Sequence, residues 1–229
     1  MSGTYYVLGI LSLSFFLMSC SSDVKKHVDL STKFSYEEKQ YFKECTFFKK
    51  KTSKWDVDTL TYSIGKNLNK SQAKFIVNTV EYISTLENLP KFELVDKNAN
   101  MFIFMSGSED EFDSSTKVKE KWRGFTANKL GFFKGELISS KIVLRPNLSD
   151  LYFRVTFQHE LLHALGLSGH PRSKFSFSSA LGDRYFRELD PEISSRIPEI
   201  DAKALRLLYN KLIPCKVTEA YVSELLGII

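Results

Sequence analysis

Cysteine is scarce in this chain, with three residues among 229, so a disulfide-dense scaffold is excluded. Glycine-rich phosphate loops and paired CxxC motifs are absent. No apolar run reaches the roughly 18–20 residues that cross a bilayer as a helix. Neither sign of charge dominates: Lys+Arg is 32 and Asp+Glu is 27, a formal net charge of +5. That excess is small and dispersed, which argues against nucleic acid as a partner. Internal repeats and low-complexity tracts are also missing. What is present, 43% hydrophobic and 14% aromatic residues, suits one well-packed domain and excludes wholesale disorder.

Residues 1–19 carry no charged side chain, and Tyr5 to Met18 is almost entirely apolar or small. The run ends in Leu17-Met18-Ser19-Cys20 and gives way to Ser21-Ser22-Asp23. This resembles the bacterial lipobox, in which a small residue precedes a cysteine that is acylated and becomes the mature N-terminus. The resemblance implies a signal peptide over 1–19, lipid on Cys20, a polar tether over 20–35 that includes His27, and a folded domain over 36–229. It implies a bacterial envelope location, lipid-anchored at the outer membrane or cell surface. Cys45 and Cys215 then remain as an even pair in a compartment that permits disulfides. A bridge between them and two separate buried thiols are equally compatible with the sequence.

Alternating β-branched and aromatic residues from Val57 to Ile64 predict a strand. Phe75, Ile76, Val80, Ile83 and Leu86 recur at helical spacing, with Ser71 as cap and Pro90 as stop. Further strands are expected at Phe92–Val95, Met101–Met105, Phe132–Ile138 and Lys141–Leu144, with a polar surface excursion from Ser106 to about Lys121. A helix capped by Ser149 or Asp150 and running to about Leu167 is apolar nearly all round, which places it in the middle of a domain. Asp201 is expected to cap a later helix ending before Pro214. A last short helix is expected from about Thr218 to Leu226.

The central helix contains His159-Glu160-Leu161-Leu162-His163. Imidazoles at i and i+4 share one helix face and can hold one zinc ion, while the adjacent carboxylate can serve as general base toward a water. Two imidazoles and a carboxylate on an otherwise apolar helix would be costly without such a role.

The text continues Ala164-Leu165-Gly166-Leu167-Ser168-Gly169-His170-Pro171. Over 159–170 the chain resembles the metzincin zinc peptidases, whose HExxHxxGxxH pattern uses a glycine turn to bring a third histidine to the metal. Gly166 occupies the glycine position, and the third histidine arrives one residue late, at His170. Trp55 and Leu60-Thr61-Tyr62 agree with the opening strand of such domains. The methionine that metzincins place beneath the metal has no counterpart, because no methionine follows Met105. Ser179-Ala180-Leu181-Gly182-Asp183 is the matching place, with Leu181 as apolar floor. Asp183 is a reserve ligand or a loop cap, and Tyr185 an oxyanion donor or a core tyrosine. The C-terminal part is similar to metzincin-like bacterial envelope proteins of unassigned function.

The resemblance implies an α+β fold: a twisted mixed sheet with an antiparallel edge strand around Phe132–Ile138, a central zinc-binding helix and a small, mostly helical C-terminal part. It implies a monomeric, lipid-anchored zinc endopeptidase. His159, His163 and His170 would be the Zn2+ ligands, Glu160 the base, and a peptide or protein the substrate. Two rivals share the motif: a zinc-stabilised interaction module without turnover, and a zinc amidase acting on cell-wall peptides.

Overall fold

The computed structural model describes residues 30–47, 51–65, 67–116, 122–171 and 196–228. The signal segment, Cys20 and His27 lie outside the described residues, as do Leu181, Asp183 and Tyr185.

The fold combines helices with one five-stranded sheet, and so belongs to the α+β class in its coarse sense. In chain order the elements are α1 (Tyr36–Thr46), β1 (Thr59–Ile64), α2 (Lys70–Ser84), β2 (Lys91–Leu94), β3 (Met101–Met105), α3 (Glu109–Thr116), β4 (Gly124–Leu130), β5 (Leu137–Leu144), α4 (Asp150–Ala164), α5 (Glu199–Leu208) and α6 (Glu219–Leu225). The strand order is β2-β1-β3-β5-β4. All neighbours are parallel except β4, which runs antiparallel to β5 and forms one edge.

Local chemistry accounts for several boundaries. Helix α1, which the periodicity did not reveal, starts on a capping box: Ser35 Oγ accepts from Glu38 N, and Glu38 reaches back to Ser35 N. Helix α2 uses the same device at Asn69 and Gln72, so the cap is Asn69 rather than Ser71. It ends at Ser84, a full turn before Pro90. Ser149 Oγ caps α4, and Thr218 Oγ1 caps α6.

Three further sequence expectations need correction. Phe132–Glu136 is a turn rather than part of a strand: Gly131 N donates to Glu136 O, and Gly135 takes φ +70°. The antiparallel edge strand is therefore Gly124–Leu130, and Leu137–Leu144 is one continuous strand. The polar stretch after Ser106 contains α3, whose Phe112 is buried edge-on against Phe125. Arg145 ties that helix to the sheet through Glu109 and Asp113. Finally, Asp201 is no cap. It lies within α5, fully buried, and accepts a hydrogen bond from the Tyr41 hydroxyl.

The folded part also starts earlier than residue 36. Leu30 is 2% exposed and Phe34 packs on the core. Cys45 and Cys215 are free thiols, so the bridge between them is not formed. The Cys45 thiol donates to Tyr41 O inside α1, and the Cys215 thiol faces Lys54 O. Burial raises the pKa of both, which keeps them in the thiol form.

Helix α4 packs on β4, β5 and α2. Phe153 and Phe157 stack on one another with Phe75 of α2 edge-on to both, and each fully buried phenylalanine contributes about 2–3 kcal/mol. Helices α1 and α5 pack together, joined by Tyr41–Asp201 and by Lys203 with Glu38. Removing the hydroxyl that serves the buried Asp201 carboxylate in Tyr41→Phe should lower the unfolding free energy by about 1.5–3 kcal/mol. Urea denaturation measures it, and a change under about 0.5 kcal/mol would show that the contact does not carry the α1–α5 junction.

Candidate metal centre

The site begins with the way α4 ends. Gly166 at φ +105° closes a Schellman turn: Gly166 N donates to His163 O, and Leu167 N donates to Leu162 O. A Cβ at Gly166 would stand 2.1 Å from Ser53 O, so only glycine fits this exit. Other elements also donate to carbonyls of the helix end, His163 O accepting a second bond there. Asn128 Nδ2 donates to His163 O at 2.8 Å, Trp55 Nε1 to Ala164 O at 2.9 Å, and the Tyr209 hydroxyl to Leu165 O at 3.1 Å. The chain then lies against the end of α1. Gly169 N donates to Cys45 O at 2.7 Å, and a Cβ at Gly169 would meet Glu44 O at 2.1 Å.

This path delivers His170 to the helix face that carries His159 and His163. His163 Nε2 lies 3.0 Å from His159 Nε2 and 3.1 Å from His170 Nε2. One ligand atom from each of the three falls within 4.8 Å of the others, so the trio could hold a metal ion. Nitrogens sharing a tetrahedral ion on bonds of about 2.0–2.1 Å stand about 3.3–3.4 Å apart, close to the observed spacing.

The donor chemistry fits as well. His163 Nδ1 is 2.6 Å from Leu167 O, so Nδ1 holds the proton and Nε2 presents its lone pair to the centre. Desolvation, and then the neighbouring His159, lower the pKa of His170, favouring the neutral ring that a cation needs. Three imidazoles without a thiolate suit zinc and its transition-metal neighbours.

Glu160 is buried at 6% exposure. Its Oε2 accepts from Thr126 Oγ1 at 2.8 Å, and the same hydroxyl lies 2.8 Å from Glu160 O. Burial raises the Glu160 pKa to about 7, with the Thr126 hydrogen bond acting against the rise. Thr126 and Asn128 are alternate residues of β4 and face α4 together. Gly124, two residues earlier, lets the helix approach: a Cβ there would be 2.7 Å from Thr156 Cγ2 and 3.1 Å from Glu160 Cγ.

The structure brings the rings of His159, His163 and His170 together, the late histidine included; Glu160 follows His159 in α4, with its carboxylate held by Thr126. The sequence reading missed Thr126, Asn128, Trp55 and Tyr209 as supports of the site. The period-2 pattern Gly124-x-Thr126-x-Asn128 was the available signal, hidden while the edge strand was placed eight residues later. No family model matches the chain, and no curated protein is similar to it.

The buried carboxylate carries a consequence for the metal-free protein. Below pH 4.5 it is protonated whether the chain is folded or not; between 4.5 and about 7 only the folded chain keeps the proton, so stability falls as pH rises. Glu160→Gln removes this loss. Metal-free Glu160→Gln should therefore match the parent near pH 4 and exceed it by about 3 kcal/mol at pH 8. Chemical denaturation across that range tests this, and a difference that does not vary with pH would show that Glu160 is not desolvated.

Proposed function

We propose that this protein is a zinc-dependent peptide hydrolase, similar in plan to the metzincins, acting from a lipid anchor in a bacterial envelope. The observation that carries the reading is the convergence of three imidazole Nε2 atoms on a helix that also carries the buried Glu160, packed against the edge strand of the sheet. His159, His163 and His170 would hold the ion. When bound, zinc supplies Lewis acidity toward a carbonyl and lowers the pKa of water. Glu160 takes the proton of the attacking water and passes it to the leaving amine. Thr126 keeps that carboxylate in one rotamer through its hydroxyl.

The edge strand β4 offers an extended peptide a ladder of backbone groups on its open side. Its inner residues Thr126 and Asn128 are already committed to the helix, so a substrate strand added there would be registered against the base. The lipobox-like Leu17-Met18-Ser19-Cys20 supports the anchor, and several acyl chains on Cys20 would hold firmly where one would not.

Glu160→Gln in the full chain should retain zinc near one per chain and lose at least about a hundredfold in hydrolysis of a peptide library, as removal of a general base does. His170→Ala should lose both zinc and activity, as read by elemental analysis and the same digest. Zinc binding with no cleavage by the parent chain in a broad library would favour the interaction-module reading instead, and cleavage confined to cell-wall peptides would favour the amidase. For the anchor, intact mass analysis of the chain extracted from membranes should find an acylated Cys20 at the N-terminus. A chain that retains residues 1–19 and an unmodified Cys20 would overturn the anchor.

A further inference from the structure

The turn between β4 and β5 carries two phenylalanines that the site leaves unused. Phe132 is 88% and Phe133 84% exposed, the highest values for large apolar side chains among the described residues. The rings meet edge-on, with centroids 5.2 Å apart, and the turn beneath them is closed by the Gly131–Glu136 hydrogen bond. Exposed Leu130 and Ile138 extend the apolar surface down both strands. Held in water at such exposure, this pair forgoes the stabilisation that burial gives. Both rings stand at high exposure on a turn between two strands. A partner protein would have to supply a matching pocket, whereas a bilayer interface accepts a protruding apolar tip without one.

Charge around the tip is net positive. Phe133 and Lys134 border a cleft of 740 Å³ whose walls also carry Lys54, Lys211 and Lys216, against Asp56 and Asp58. Lys216 Nζ donates to Phe133 O at 3.0 Å, and Lys134 faces Asp56 at 3.9 Å. Lys129 precedes the turn, and Glu136 folds back against Gly131.

We propose that the β4–β5 turn is a membrane-docking element. Phe132 and Phe133 insert into the interface of an anionic bilayer while Lys134, Lys211 and Lys216 meet its headgroups. Docking would fix the orientation of the domain on its tether and set the open edge of β4 at a defined height above the lipid. The inference is independent of the metal centre.

The test uses the full chain reconstituted in vesicles, so the N-terminal segment is constant and only the tip is read. Phe133→Trp replaces an exposed ring by another and leaves the core untouched. With vesicles containing about 30% phosphatidylglycerol, its added emission should shift to the blue and be quenched by brominated lipid, because the ring enters the interface. In phosphatidylcholine alone the quenching should fall at least about twofold, and combined Lys134→Ser, Lys211→Ser and Lys216→Ser should have the same effect. Leu94→Trp, at an exposed position on the opposite sheet edge, should remain unquenched. Emission of Phe133→Trp that stays at the aqueous position, or a shift that follows protein concentration rather than lipid, would overturn the proposal. Equal quenching in both lipids would overturn the role given to the lysines.

Discussion

The arrangement depends on the left-handed turn at Gly166. A helix that carries ligands at i and i+4 supplies only two groups on one face, and continuing it would carry the next residues away from the centre. The Schellman closure at Gly166 reverses the chain within one turn, and the approach to Ser53 O leaves no room for a side chain. Everything after it, from the Gly169 contact with α1 to the position of His170, follows from that exit.

Such a turn in the protein interior leaves backbone carbonyls to be satisfied, and unmet carbonyls would cost about 1–3 kcal/mol each. Here the donors come from three separate parts of the chain: Asn128 from the edge strand, Trp55 from the segment before β1, and Tyr209 from the end of α5. Burial raises the Tyr209 pKa, so its hydroxyl remains a donor. The helix end is therefore cross-braced by the sheet and by the C-terminal helices, and the imidazoles inherit that rigidity.

How much of this was legible in the sequence follows the range of each interaction. The HExxH spacing and the Gly166 turn are local, so His159, Glu160, His163 and the exit could be read directly, and the central helix could be recognised by its all-round apolar character. His170 was legible as a residue type, but its reach depended on how one extra residue would be absorbed, and that lies in the packing of Gly169 against Glu44 and Cys45. The edge strand was misplaced because Phe132-Phe133 mimics a buried strand by composition, whereas Gly124–Leu130 is polar and reads as a loop. Polar side chains there serve the helix behind them, and the period-2 pattern puts them on one face without naming partners some 35 positions away. Asp201 read as a cap because aspartate is common at helix starts; its partner Tyr41 is 160 residues away.

The same edge strand explains why a carboxylate can be kept deep in an apolar layer. Glu160 sits where Gly124 yields space and Thr126 supplies a single hydroxyl. One neutral donor offsets only part of the desolvation, so the carboxyl remains strained toward its protonated form. Fuller solvation or an added cationic side chain would stabilise the anion and weaken it as a proton acceptor. A lone hydroxyl on a strand that also fixes the helix terminus holds the group in place while leaving its basicity high. The strand is thus a structural edge and the source of the Glu160 environment at once, and that double duty accounts for its polar sequence.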